Sequence, residues 1–210
     1  MLTPRSLFDR PDKGIRIPFK MNDVDCVVNT NVMKLLTATQ QTSAPGYQDT
    51  CNYLNSIVDK KDYYSCGMYY PSQWVLPYSM ATAMTGGVSC LRPSQSKILN
   101  FVLSQQSPNG YWLNHTMARP DYIQSTAWGL NTLLLLGDRR NPEHRERAAR
   151  ALRFLLAQGH TNSKGQLYWP GEVFYAATFV ARLTVVWRAD AYTTATVARA
   201  LLIADRVWGL

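Results

Sequence analysis

The 210 residues fit one ordinary domain or one part of a larger architecture, and 46% hydrophobic content suits a buried core and excludes disorder over most of the chain. Lysine and arginine outnumber aspartate and glutamate by 22 to 14, a net charge of +8, but no finger, RNA-recognition or phosphate-loop pattern accompanies the charge, so nucleic-acid binding is set aside. The basic balance favours contact with an anionic membrane surface, while no uninterrupted run of about 18 apolar residues is present to span one.

Residues 1–21 carry Pro4, Pro11, Gly14 and Pro18 among mixed charges and read as an extended lead-in to a helical domain over 22–210. From 24 to 38, Val24, Val27, Val28, Val32, Leu35 and Leu36 recur at helical spacing. A second helix over 47–59 has Tyr47, Cys51, Tyr53, Leu54, Ile57 and Val58 as its buried side. An aromatic loop from Tyr63 to Pro71 follows, and Ser72 is the expected cap of a helix that carries Trp74, Leu76, Tyr78 and Met80 and stops at Gly86-Gly87. Pro93 and Ser94 open the next helix, with Ile98, Leu99, Val102 and Leu103 as its stripe.

Further helices are predicted over 122–137 and 142–158, the latter with a solvated face of arginines interleaved with Glu143 and Glu146. The stretch 173–187 is apolar without a clean period and stays ambiguous between helix and strand. The last helix runs from Asp190 to Val207, with Tyr192, Ala195, Val197, Ala198, Leu201 and Leu202 inward. Helix pairs thus repeat every 45 to 50 residues or so, joined by aromatic-rich turns. That pattern predicts stacked helix pairs, as a solenoid or as an α/α toroid, and the aromatic turns favour closure around a hollow.

Cys26, Cys51, Cys66 and Cys90 are widely spaced, with no Cys-x-x-Cys pair. With an N-terminus lacking the hydrophobic core of a signal peptide, they predict reduced thiols and a cytoplasmic chain, at most peripheral to a membrane. On that view Asn114-His115-Thr116 matches a glycosylation sequon by chance. His115, His144 and His160 have no acidic or cysteine partner at zinc-ligand spacing, so no metal is expected.

Chemistry is most legible in Asp23-Val-Asp25-Cys26-Val-Val-Asn29, where two carboxylates stand at the mouth of an apolar helix. A carboxyl held against apolar surface retains its proton and can donate it to an alkene. The structural alternative is equally concrete: Asn22 or Asp23 caps the helix and Asp25 lies in its first turn. Asn29 is placed to orient a carboxyl by hydrogen bonding. Tyr69, Tyr70, Trp74, Tyr168, Trp169 and Trp187 are candidates to line a cavity and face a cation, with core packing as the alternative for each.

The loop Gln106-Ser-Pro-Asn-Gly110-Tyr-Trp112 has the pattern Q-x-x-x-G-x-W, which resembles the QW repeat of squalene-hopene and oxidosqualene cyclases; Gln158 through Gly165 to Trp169 looks like a degenerate second copy. In such a loop the glutamine amide bonds backbone at a helix end and the tryptophan stacks across it. The segments DCVVNTNV, YYPSQWVLPYSMA, YIQSTAWGLNTLLLLG and WRADAYTTATVARALL resemble, in order, single-domain class II terpene cyclases over roughly 22–205. The resemblance implies an all-α, α/α-toroid barrel, complete or partial, around a cavity for a hydrophobic polyprenyl substrate of isoprenoid biosynthesis. It implies an isomerase or lyase that starts cyclisation by protonating an alkene or epoxide, without a metal or other cofactor.

This chain departs from the family's acid motif D-x-D-D, since Cys26 stands in the fourth position, and DCVVNTNV resembles a later helix of these proteins. Two expectations result. In the first, Asp25 carries the proton and Asp23 tunes it by like charge. In the second, the chain is a non-catalytic scaffold or one subunit of a split barrel, completed by a second copy or by a complementary half-barrel chain.

Overall fold

The computed structural model describes residues 24–67, 69–116, 119–178 and 184–210. Among these residues the helices are α1 (Cys26–Ala38), α2 (Tyr47–Asp59), α3 (Val75–Thr85), a 3₁₀ turn (Ser89–Ser94), α4 (Gln95–Ser104), α5 (Ile123–Leu136), α6 (Pro142–Ala157) and α7 (Asp190–Ile203), which widens into a π turn (Ala204–Trp208). Among the described residues three two-stranded antiparallel ribbons lie between them: β1 (Asn114–Thr116) with β2 (Arg119–Asp121), β3 (His160–Thr161) with β4 (Leu167–Tyr168), and β5 (Val173–Thr178) with β6 (Thr184–Arg188).

The helices form two rows. α1, α3, α5 and α7 pack in sequence as an inner row, while α2 backs α1 and the 3₁₀ turn, and α4 and α6 back α5. This alternation of inner and outer helices is the α/α-barrel type of fold. α5 is buried nearly all round, from Gln124 to Leu134 and again at Leu136. Several of its polar side chains are bonded locally or to α7: Thr132 donates to the Trp128 carbonyl, Asn131 donates to the carbonyls of Ala127 and Thr196, and Gln124 Oε1 accepts from Thr193.

Tryptophans fasten the rows by their indole N–H groups. Trp112 donates to the Val102 carbonyl at 2.8 Å, Trp169 to Leu155 at 2.6 Å and Trp208 to Leu134 at 3.0 Å, each acceptor lying in the last turn of its helix. Gln106 donates to the carbonyls of Gly110 and Arg147, so the Q-x-x-x-G-x-W loop joins α4 to α6. Gly110 has φ +93°, and a Cβ there would stand 2.5 Å from the Arg150 carbonyl oxygen.

Three expectations are corrected and one open stretch is resolved. The four cysteines are not reduced thiols: Cys26 pairs with Cys66 and Cys51 with Cys90, so the cytoplasmic expectation loses the support it drew from free thiols. The ambiguous stretch is a hairpin, because Val173, Phe174, Tyr175, Val185, Val186 and Trp187 are β-branched or aromatic and favour strands. At α1 most of the periodic stripe faces outward, Val27 excepted. Val24, Val28, Val32 and Leu35 are 41–62% exposed, while Cys26, Val27, Thr30 and Met33 are buried. α7 likewise buries Thr193, Thr196, Val197 and Ala200, leaving Leu202 exposed.

The boundaries of α2 agree with the sequence reading, and its buried residues are Cys51, Leu54, Ile57 and Val58. Asn114 of the sequon is buried and donates to the Pro71 carbonyl. Among the described residues no helix is long and apolar enough to cross a membrane.

Candidate functional site

The inner row borders an open cavity of about 690 Å³. α1 contributes Val27, Asn31 and Lys34, α3 contributes Val75, Tyr78, Ser79, Thr82 and Thr85, strand β5 contributes Phe174 and Tyr175, and α7 contributes Tyr192 and Arg199. Tyr70 completes the wall from the loop before α3. These rings touch one another: Phe174 stacks on Tyr192 at 4.7 Å, and Tyr175 stands edge-on to Tyr70 at 6.0 Å. Arg199 donates to the Tyr78 hydroxyl, leaving that hydroxyl's own proton free for another acceptor. Lys34 and Arg199 are the cations of the lining, and among the described lining residues there is no carboxylate.

Asp25 sits behind this wall. It is buried and caps α1, with Oδ1 accepting from the Val28 amide at 2.8 Å and Oδ2 from the Tyr69 amide at 3.4 Å. Burial first, then the charge of Asp25 and the neighbouring Tyr175, pushes the Tyr70 hydroxyl above the ordinary tyrosine range. Tyr175 is pushed the same way by burial, Tyr69 and Asp25. The Asp25 carboxylate therefore acts electrostatically on two residues of the cavity wall. Asn29 donates to the backbone carbonyl of Asp25, not to its carboxylate, which corrects the orienting role expected for it. Asp23 lies outside the described residues.

The other aromatic candidates divide. Tyr70 lines the cavity, and Tyr69 stands just outside it, stacked on Tyr175 at 5.6 Å. Trp187 packs edge-on against Tyr175 at 5.0 Å and is partly exposed. Trp74 is core, donating to the Leu113 carbonyl and stacking on Phe101, and Trp169 is the helix fastener described above. Tyr168 lies at a separate surface hollow beside Asp190 and Thr194. The sequence reading missed Tyr78, Phe174, Tyr175, Tyr192, Lys34 and Arg199 as lining residues. Arg199 had a signal: it is a lone cation in the otherwise apolar run Val197 to Leu202.

Strand β5 is held at its start and along its length. Glu172, just before it, receives the amides of Tyr122, Ile123 and Gln124 at 2.7–2.9 Å and so caps α5 from outside. The Ala176 amide donates to the Tyr69 carbonyl at 2.9 Å, which ties the hairpin to the cavity loop.

The sequence matches no protein-family model and no curated protein. The fold is similar to solved type II terpene cyclases. A variant of MstE from Scytonema in complex with merosterolic acid A, its product, superposes with a TM-score of 0.57 at 19% identity, covering 78% of this chain and 51% of that one. Another MstE variant, holding the substrate geranylgeranyl dihydroxybenzoate, gives 0.60 at 17% identity over 95% of this chain and 65% of that one. ent-Copalyl diphosphate synthase from Streptomyces platensis gives 0.57 at 16% identity over 98% and 38%. The chain thus spans about half to two thirds of the length of MstE, and the likeness is one of fold.

Proposed function

We propose that this protein is class II terpene cyclase-like and holds a hydrophobic polyprenyl molecule in the inner-row cavity for protonation-initiated cyclisation. The observation that carries this reading is the wall of Tyr70, Tyr78, Phe174, Tyr175 and Tyr192. Aromatic faces attract a cation through the ring quadrupole, and a cavity that excludes water strengthens that attraction. The polyprenyl class is proposed by likeness to MstE, whose structures hold a geranylgeranyl substrate and its product. Lys34 and Arg199 suit a polar or anionic end of such a molecule.

In this reading the substrate's end reaches Asp25 past the Tyr69–Tyr70 loop that covers it. Asp25 gives its proton to a carbon–carbon double bond, the electron pair of the alkene forms the new C–H bond, the next alkene attacks the tertiary cation to form the ring's C–C bond, and the last cation loses a proton to the carboxylate or to water. Asp23 acts on Asp25 only as a like-charged neighbour. The test is incubation of the oxidised chain and of Asp25→Asn with geranylgeranyl dihydroxybenzoate and geranylgeraniol, followed by product analysis. Cyclised product from the parent chain and none from Asp25→Asn, at unchanged ligand affinity, supports the assignment. Equal turnover by both removes Asp25 from the mechanism, and absence of binding removes the polyprenyl reading.

A second reading, a non-catalytic scaffold or one subunit of a split barrel, is favoured by the exposed Val24 just before α1 and Val28, Val32 and Leu35 on it, the first helix of the inner row among the described residues. An apolar stripe of that kind marks a packing surface for another helix, from a second copy or a complementary half-barrel chain. Light scattering after size exclusion decides it, since a chain that stays strictly monomeric and soluble counts against this reading. Peripheral membrane contact is proposed at Leu202, Val207 and Leu210, exposed beside Arg139 and Arg206, and is read by sedimentation with anionic vesicles.

A further inference from the structure

We propose that the Cys26–Cys66 disulfide is a redox latch on the cavity, holding the Tyr69–Tyr70 wall against the start of α1 when oxidised and releasing it when reduced. The bond joins the first residue of α1 to the loop that carries both tyrosines. Around it the same two segments meet through the Cys26 amide, which donates to the Cys66 carbonyl at 3.1 Å, and through the Tyr69 amide, which donates to Asp25 Oδ2 at 3.4 Å. Beyond Tyr69 the connection continues into strand β5 by the Ala176 amide, and by the stacking of Tyr69 on Tyr175. One covalent bond therefore stands at the root of a short chain of contacts that ends on two lining residues, Tyr70 and Tyr175.

The second bridge serves as the internal comparison. Cys51–Cys90 joins α2 to the 3₁₀ turn in the outer part of the fold, and neither element lines the cavity. The reductant is a dithiol: its thiolate attacks one sulfur, the Cys26–Cys66 bond breaks, and a second attack closes the dithiol into its own ring. Two electrons and two protons pass to the protein as two thiols. Cys26 is fully buried and Cys66 nearly so, so reduction proceeds through local opening of the loop and is slower than that of a surface disulfide.

The test uses the full chain in four forms: oxidised parent, parent treated with dithiothreitol, Cys26→Ser/Cys66→Ser, and Cys51→Ser/Cys90→Ser. Amide hydrogen exchange at Tyr69, Tyr70 and Ala176 is read first, then affinity for geranylgeranyl dihydroxybenzoate. Reduction and Cys26→Ser/Cys66→Ser are expected to speed exchange at these amides at least tenfold and to weaken ligand binding by a similar factor. Cys51→Ser/Cys90→Ser leaves both unchanged until dithiothreitol is added, when the remaining bridge is the latch itself. Should either double variant lose cooperative unfolding, the other with dithiothreitol carries the same comparison.

Unchanged exchange at Tyr69 and Tyr70 after cleavage of Cys26–Cys66 overturns the latch. The ligand half of the proposal rests on the polyprenyl reading, and the exchange readout separates the two. Faster exchange without ligand binding by any form keeps the latch and removes that reading.

Discussion

Arg199 donates to the Tyr78 hydroxyl at 2.9 Å across the cavity from a position 121 residues later in the chain, with its guanidinium carbon 5.4 Å from the same ring centre. The pair fixes a cation in the cavity wall. Arg199→Gln is expected to weaken binding of geranylgeranyl dihydroxybenzoate by about tenfold, about 1.4 kcal/mol, while binding of uncharged geranylgeraniol changes little. Calorimetric titration of both ligands checks this, and equal losses for the two would mean that Arg199 shapes the wall instead of meeting a charge.

Glu172 links helix capping to pH. Burial holds its carboxyl above the ordinary carboxylate range, against the amides of Ile123, Gln124 and Tyr122 and the Arg188 charge, which pull it down. A raised folded-state value means that the group's titration contributes stability below the unfolded pKa and loses it as pH rises through the raised value. Glu172→Ala, which removes the acceptor of three amides, is expected to cost about 2 kcal/mol. Denaturant titrations from about pH 4 to about pH 8 should show the gap between parent and variant widest at the acid end.

Gly129 is the floor under Trp112. A Cβ there would lie 2.5 Å from the indole ring, so Gly129→Ala is expected to destabilise the fold by about 3 kcal/mol through displacement of a fully buried ring. A thermal melt of this variant is the measurement, and an unchanged midpoint would place Trp112 elsewhere.

Tyr63 is buried and stacks on Phe101 at 4.1 Å, and burial, with a smaller push from Asp59, raises its hydroxyl to about 12. Its contribution to stability is full below the ordinary tyrosine value and lost as pH rises through about 12. Ultraviolet difference titration should show Tyr63 among the tyrosines that ionise after the exposed ones, with Tyr70 and Tyr175 also raised, and Tyr63→Phe should reduce that late step by one tyrosine.

Neither bridge leaves a thiol, so alkylation of the native chain without reductant should add no mass, and four adducts should follow reduction. Each bridge closes a loop of about 40 residues, and the chain-entropy account assigns about 4 kcal/mol to such a closure. Denaturant unfolding with and without dithiothreitol measures the sum.

Much of the helical order was legible in residue spacing, because caps and stops such as Pro142, Gly86 and Gly137 punctuate it. Periodicity failed where an apolar stripe is not a buried one. On α1 Val28, Val32 and Leu35 point outward while Cys26, Val27, Thr30 and Met33 fill the inside, and a single sequence does not distinguish two faces that both carry apolar residues. The disulfides were missed because spacing along the chain carries no information about which turns meet; Cys26 and Cys66 come together only once the aromatic loop folds back on α1. Trp74 and Trp169 were named for a cavity and proved to be core, since burial attracts large rings more strongly than any site does. Tyr175 and Phe174 escaped notice because their strand lay in the ambiguous stretch.

The two sulfur bridges interlock: in chain order the first cysteine pairs with the third and the second with the fourth. A peptide bond severed anywhere between Cys26 and Cys90 is therefore spanned by at least one of them, so a protease that nicks the aromatic loop produces two pieces that still travel as one molecule until a thiol reagent parts them.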